Sequence, residues 1–313
     1  MDNLSAVRRV ALLSVGAGLL TLLLKFGAYF LTGSVGLLSD ALESVVNLTA
    51  ALIAFTAISI ADRPPDDRHA YGHDKAEYFS SGAEGALILI AAITIIYTAV
   101  QRFLNPAPLE NLGIGAVIAL IASAINFGVS RVMIGAARRY DSIALEADAH
   151  HLMTDVWTSI GVVGGVLLAG FTGWQWLDPL LAIAVALNII WTGVKLLRRS
   201  AQGLMDTALP LDEVDQIRDA ISQVAGDDIP YHGLRTRKSG SRRFIDFHLL
   251  VPGQTTVQES HDLSERIEAE IDEHLSNAFV TIHVEPQEDA AAWDADIVGG
   301  LASSHRAERE DAG

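Results

Sequence analysis

Long apolar stretches separated by short polar segments dominate the first 200 residues of the chain. A bilayer core of about 30 Å needs roughly 20 apolar helical residues, and six stretches meet that requirement. They cover approximately residues 10–32, 35–61, 79–100, 112–137, 143–169 and 180–197. The pattern predicts an all-α bundle of six transmembrane helices, which we place within residues 1–205.

The pattern changes to that of a water-soluble fold in the last third of the chain. It predicts helices over 211–224 and 263–275 and strands over 231–235, 245–251 and 280–284. The order αββαβ indicates a small α+β domain over residues 206–288. Residues 289–313 lack any periodicity, and we expect a disordered acidic tail there.

Composition supports this division into a membrane part and a soluble part. Half of the 313 residues are hydrophobic and the mean hydropathy is +0.31, which is typical of a membrane protein. Residues 1–200 carry a net charge of −2 and residues 201–313 carry −14. An acidic soluble domain argues against nucleic acid as a partner. The chain has no cysteine, so any metal site must use nitrogen and oxygen ligands.

The distribution of Lys and Arg predicts the orientation in the membrane. With the N-terminus inside, almost all basic residues outside the spans lie in inner segments, and Arg102 alone lies in an outer loop. Basic residues accumulate in loops that stay in the cytoplasm. We therefore expect both termini and the acidic domain to be cytoplasmic.

Two of the predicted spans carry polar residues with a helical pattern. Glu43 and Asn47 lie one turn apart on the second span, and His151 and Asp155 lie one turn apart on the fifth. At 1.5 Å of rise per residue, both pairs lie about 12 to 18 Å deep in the membrane. Ionisable residues at such depth are candidates for function.

These four side chains would make a site of one nitrogen and three oxygen ligands. That ligand set suits borderline to hard divalent ions, and its two carboxylates neutralise one such ion. The alternative is a polar contact between helices in which Glu43 or Asp155 is protonated. Two pairs at matched depth favour the metal site.

A second candidate site lies in the loop after the second span. Asp66, His69 and His73 are close enough in sequence to fold around one ion. A solvated loop with two surface histidines is the alternative, and the spacing does not decide between them.

The soluble domain holds further potential ligands. His283 and Glu285 are two residues apart on one predicted strand and therefore point from the same face. His248 lies on another strand, while His232 and His261 approach from a strand edge and a helix.

At this point the sequence resembles the cation diffusion facilitator family, in particular its bacterial zinc/iron exporters, over about residues 8–287. The segments that carry the resemblance are Glu43-Ser-Val-Val-Asn47, Pro65 to Glu77, Ala147 to Asp155, Leu234 to Gly240 and Ile282 to Pro286. The resemblance implies a metallochaperone-like or ferredoxin-like cytoplasmic domain. It also implies a homodimeric antiporter of the inner (plasma) membrane that expels a divalent metal in exchange for protons.

The resemblance also assigns residues to sites. The transport site falls on Glu43, Asn47, His151 and Asp155, and the loop site falls on Asp66, His69 and His73. A cytoplasmic dimer-interface site falls on His232, His248, His261, His283 and Glu285. Lys75 and Asp206 occupy the positions of a charge interlock between protomers. The metal is thus both substrate and regulatory ligand, and no catalytic cofactor is implied.

One departure from the family pattern bears on the metal. Zinc-carrying members usually have Asp or His at position 43 and Asp at position 47, whereas this chain has Glu43 and Asn47. An amide oxygen is a weaker, neutral ligand, and Asp40, one turn away, is a possible auxiliary carboxylate. Zinc is our first choice, with iron(II), manganese(II) and cobalt(II) left open.

Two other functional classes are a membrane metal sensor or scaffold and an intramembrane metalloenzyme. A membrane metal sensor or scaffold that binds without transport remains the alternative, although it would not need a site at mid-membrane depth. An intramembrane metalloenzyme would need a motif such as His-Glu-x-x-His with an open coordination position. The chain has no such motif, so we expect no enzymatic activity.

Overall fold

The computed structural model describes residues 2–32, 35–104, 113–172, 176–226 and 228–293. These residues form two compact units, Met1–Leu204 and Met205–Gly313. The helices of the first unit are α1 (Asp2–Thr32), α2 (Val35–Ala61), α3 (Ala76–Leu104), α4 (Gly113–Tyr140), α5 (Ile143–Thr172) and α6 (Leu177–Leu204). The elements of the second unit are α7 (Leu211–Ala225), β1 (Tyr231–Ser239), β2 (Arg242–Val251), α8 (Val257–His274), β3 (Ala278–Pro286) and α9 (Ala290–Trp293).

Five helices of the first unit are long and apolar enough to cross a membrane within the described ranges. These spans are Ala6–Phe30, Ser44–Ala61, Ala76–Gln101, Leu120–Tyr140 and Pro179–Leu204. The predicted count of six spans is therefore not confirmed. Helix α5 has 30 residues, but its described side chains cover only residues 143–161, and three of these are the acids Glu146, Asp148 and Asp155.

Large apolar side chains point outward from the first unit, as expected of a surface that faces lipid. Phe30, Tyr97 and Trp191 are all more than half exposed. The interior is built from small residues, which let helix backbones approach closely. A Cβ on Gly203 of α6 would lie 2.2 Å from the Tyr78 ring of α3, and one on Gly85 would lie 3.3 Å from the Leu197 backbone nitrogen. Glycine at position 203 is thus required by the contact between α3 and α6.

A buried carboxylate joins the start of α3 to the start of α5. Glu77 Oε2 accepts hydrogen bonds from Ser142 Oγ at 2.6 Å and from the Ala144 backbone N–H at 3.2 Å. The first N–H groups of a helix have no partner within the helix and favour a negative charge. Glu77 therefore fixes the start of the helix that carries His151 and Asp155.

The second unit is a three-stranded sheet covered by α7 and α8. Strand β2 is central, pairing antiparallel with β1 and parallel with β3. Ile217 and Ile267, one from each helix, pack with Phe247 in its core. Helix α8 begins with a capping box, in which Thr256 and Glu259 exchange hydrogen bonds. The α+β fold and the predicted order αββαβ are confirmed.

Ordered structure extends past the predicted boundary of the tail. Helix α9 forms within residues predicted to be disordered, because Ala292 is buried and the Trp293 indole donates a hydrogen bond to the Gln287 carbonyl at 2.9 Å. The rest of the predicted tail, residues 294–313, lies outside the described residues.

We expect Ile267→Ala to lower the free energy of unfolding of the second unit by about 2–5 kcal/mol, because the substitution leaves a cavity in the core. The Ile267 side chain is 0% exposed. The matched control is Val257→Ala on the same helix, where the side chain is 89% exposed and the cost should stay within about 0.5 kcal/mol. Hydrogen exchange of the β2 amides in the full-length protein measures both values. Equal effects of the two substitutions would contradict the assigned core.

Candidate metal centres

Three of the four residues predicted for the transport site meet between α2 and α5. Asn47 Oδ1 of α2 lies 2.9 Å from His151 Nε2 of α5, and Asn47 Nδ2 donates a hydrogen bond to Asp155 Oδ2. Asn47 and His151 are buried, at 8% and 6% exposure. The side chains therefore face the interior of the bundle and one another. Their ligation of a metal stays a prediction.

The hydrogen bonds of Asn47 define where a proton sits. A carboxylate only accepts hydrogen bonds, so Asn47 presents its NH₂ group to Asp155 and its carbonyl oxygen to His151. With Asp155 ionised and the Asn47 amide in this orientation, His151 Nε2 is the donor of its contact with Asn47 Oδ1. When a metal binds this nitrogen, a neutral imidazole can move its hydrogen to Nδ1, whereas a protonated imidazole must release a proton. Metal binding therefore releases protons only from a protonated centre.

The remaining predicted residues of this site cannot be placed. The side chains of Glu43 and Asp40 lie outside the part of the chain that the structure describes. Their roles as ligand and auxiliary carboxylate stay predictions.

One residue of this centre was missed by the sequence analysis. Asn126 of α4 is buried, and its Nδ2 donates a hydrogen bond to Asp155 Oδ2 at 3.3 Å. Asn126 has no charge, so it does not stand out as an ionisable residue within an apolar span. The available signal was a polar stripe, since Ser123, Asn126 and Ser130 recur at helical spacing on a predicted span and all three are buried.

The loop between α2 and α3 brings Asp66, His69 and His73 together. One ligand atom from each lies within 4.8 Å of the others. Asp66 Oδ1 lies 3.1 Å from His69 Nδ1, and Asp66 Oδ2 lies 3.3 Å from His73 Nε2. The backbone N–H of His69, with help from that of Arg68, holds the pKa of Asp66 below its ordinary value. An ionised carboxylate between two imidazoles suits a divalent metal.

A third cluster lies on the sheet of the second unit. The strand register pairs His232 with His248 and His248 with His283, so the three imidazoles lie side by side across β1, β2 and β3. A bulge after His232 contains Gly233 at φ +64°, a conformation that favours glycine. The sheet therefore places histidines from three strands on one line.

Glu285 completes this cluster. Its Oε2 lies 3.1 Å from His232 Nε2 and its Oε1 lies 3.2 Å from His248 Nδ1. Burial acts to raise the pKa of Glu285, but the contacts with His232 and His248 outweigh it, and the pKa lies below its ordinary value. Ligand atoms of these three residues all lie within 4.8 Å of one another. His283 lies at the edge, with Nε2 3.5 Å from Glu285 Oε1.

Two predicted assignments involve a second chain, so the structure of one chain does not test them. His261 of α8 does not join the cluster: its Nε2 lies 3.4 Å from Glu265 on the same helix, and its side chain is 61% exposed. Asp206 lies 3.3 Å from Arg237. Participation of His261 in a dimer-interface site, and the interlock of Lys75 with Asp206, stay predictions about the dimer.

Comparison with known families accounts for nearly the whole described chain. Residues 11–205 match the cation efflux transmembrane domain, and residues 209–287 match the cytoplasmic domain of cation efflux proteins. The two matches meet close to the division between the two compact units.

Full-length relatives agree with these matches. The chain is 51% identical over 286 residues to the uncharacterized transporter sll1263 of Synechocystis, covering 91% of this chain and 92% of that protein. It is 30% identical over 283 residues to the cation-efflux pump FieF of Escherichia fergusonii, covering 90% of this chain and 93% of the pump.

Two solved structures are each similar to about a quarter of this chain. A structure described as the zinc form of the putative zinc transporter CzrB is 37% identical, covers 26% of this chain and 91% of its own, and has a TM-score of 0.25. The metal-bound C-terminal domain of the CzcD transporter from Thermotoga maritima is 29% identical, with 26% and 93% covered and a TM-score of 0.24.

The match of most of the chain to the two domains, together with relatives aligned over nine tenths of its length, shows that the chain belongs to the cation diffusion facilitator family and is a membrane-spanning cation efflux transporter rather than an enzyme.

Proposed function

We propose that this protein expels a divalent transition-metal ion from the cytoplasm in exchange for protons, and that the ion crosses the membrane through the centre formed by Asn47, His151 and Asp155, with Glu43. The observation that carries the proposal is the buried hydrogen-bonded contact between α2 and α5. Ionisable side chains at this depth are costly unless they serve a charged ligand.

Proton exchange follows from the chemistry of these ligands. Histidine binds metal in its neutral form and aspartate in its ionised form, so loading the centre releases protons. In this arrangement Asn47 accepts the hydrogen of His151 Nε2, the nitrogen that we assign to the metal. Binding protons on the outer side would expel the ion. Alternating access of the helices would then couple metal export to proton entry.

The donor set supports zinc as the first choice of ion. One imidazole nitrogen with carboxylate and amide oxygens suits borderline divalent ions, so zinc, iron(II), manganese(II) and cobalt(II) are all compatible with it. Among these ligands, Asn47 most affects the choice of ion, because its amide oxygen is neutral and weak.

We further propose that the second unit senses metal in the cytoplasm of a homodimer. The support is the cluster of His232, His248 and Glu285, together with the family of the second unit, whose domain is named for dimerisation. An ion shared between two such units would bias the dimer toward one conformation. In the proposed topology, six helices cross the inner membrane and both termini are cytoplasmic.

Asp155→Ala and His151→Ala should each abolish metal flux, because each removes a ligand for the ion. The assay measures zinc uptake into proteoliposomes in which the cytoplasmic face of the transporter points outward. A pH dye in the lumen reports proton movement at the same time. Asn188→Ala is the matched control, since Asn188 lies exposed on α6. Wild-type metal flux with no lumenal pH change would contradict proton exchange, and saturable binding without flux would favour the sensor alternative.

Asn47→Asp should raise the affinity of the centre for zinc by at least about 10-fold. The substitution adds a negatively charged oxygen ligand and removes the hydrogen bond that the Asn47 amide donates to Asp155. Transport of zinc, iron(II), manganese(II) and cobalt(II) by both proteins compares their selectivity. An unchanged order of preference and unchanged affinity would show that position 47 does not touch the ion.

Glu285→Gln should remove an acid-sensitive part of the stability of the second unit. The lowered pKa of Glu285 means that its ionised form stabilises the fold. That contribution is present above the ordinary value of 4.5 and is lost as the pH falls through the lowered pKa. Thermal unfolding at a series of pH values measures it, with the 67% exposed Glu265 replaced by Gln as the control. Parallel pH profiles for wild type and Glu285→Gln would contradict the assignment.

A further inference from the structure

Two carboxyl groups are buried in the membrane unit outside every site described above. Glu84 of α3 is 0% exposed and Asp148 of α5 is 1% exposed. The two groups are near enough to act on each other electrostatically. Ser80 Oγ donates a hydrogen bond to Glu84 Oε1 at 3.2 Å. Neither acid has a role in the transport centre, the loop cluster or the sheet cluster.

Several oxygen atoms of this pocket have no hydrogen-bond partner within the described ranges. They are Glu84 Oε2, Asp148 Oδ1 and Oδ2, and Ser14 Oγ. Ser14 comes from a third helix, α1, and is itself 0% exposed. Its hydroxyl faces the carboxyl of Asp148 without a hydrogen bond of normal geometry. Buried polar atoms are normally paired, so this convergence of three helices points to a ligand.

Among the described residues, no Lys or Arg is paired with either carboxyl group. The described groups that act on the two carboxyls are the carboxyls themselves, Ser80, Ser14 and His151, and none of them is Lys or Arg. Two carboxylates cannot both stay ionised in a low-dielectric interior without a cation. One shared proton would leave a negative charge behind, and protonation of both groups would still leave buried oxygens without partners.

We propose that Glu84, Asp148 and Ser14 form a second divalent-cation site in the membrane unit, separate from the transport centre. Two carboxylates match the charge of one divalent ion, and carboxylate with hydroxyl oxygens is a ligand set for hard ions such as manganese(II). Asp148 lies one helical turn before His151 on α5. The site would therefore hold an ion next to the transport centre. This role rests on the proposed transport function, whereas binding itself does not.

The test measures Mn²⁺ binding by electron paramagnetic resonance to the full-length protein in detergent. Asp66→Ala, Asp155→Ala and His248→Ala together silence the other three centres and provide the background. We expect this background to bind one Mn²⁺ per chain. Adding Glu84→Gln with Asp148→Asn should weaken that binding at least about 10-fold. Glu146→Gln, two residues from Asp148 and paired with Arg199, is the matched control and should leave binding unchanged.

Ser14→Ala keeps both carboxyl groups and tests the site independently if the double variant does not fold. We expect it to weaken Mn²⁺ binding several-fold. Absence of bound Mn²⁺ in the background, or equal binding with and without the two acids, would overturn the proposal. An infrared band of a protonated carboxyl that Glu84→Gln removes, in protein that binds no Mn²⁺, would assign the pair to a proton instead. Zinc flux by the wild type is measured separately. Bound Mn²⁺ without flux would overturn the transport function and leave this site standing.

Discussion

A carboxylate in the middle of a membrane helix must be neutralised or hydrogen-bonded, and this requirement shapes the membrane unit. Asp155 meets it through amide groups from two other helices, Asn47 of α2 and Asn126 of α4. The amide of Asn47 also accepts from His151. Three helices are thereby held around one charge by hydrogen bonds that a metal ion would have to replace. The same bonds that stabilise the bundle therefore contribute to the cost of metal binding.

Much of this arrangement followed from helical geometry alone. Asn47, His151 and Asp155 were predicted to meet because two regular helices with a known rise place them at equal depth. Helices α2 and α5 begin where the apolar pattern begins, whereas α1 begins eight residues before its predicted span (2 against 10) and α6 ends seven residues after its own (204 against 197). Asn126 was not predicted, since a neutral amide on an apolar span has no signal in a search for charge. The number of spans is less secure than the helices themselves, because three acids lie within the described part of α5.

The sheet cluster shows a different limit of prediction. Alternation predicted that His283 and Glu285 share a face, which needs only the period of a strand. The alignment of His232 with His248 depends on a bulge, and a bulge shifts register by one residue without a clear sequence signal. His261 shows a third limit of prediction, because its predicted role involves a second chain. Intrachain patterns do not determine contacts between chains.

The hydrogen bonds of Glu77 have a mechanical consequence. Glu77 follows directly after the histidine-bearing loop and holds the first turn of α5 through Ser142 and Ala144. The loop and α5 therefore share one anchor point, and a rotation of α5 about its own start must either pull on that loop or break these buried hydrogen bonds. Movement of α5 is in this way mechanically coupled to the loop that holds Asp66, His69 and His73.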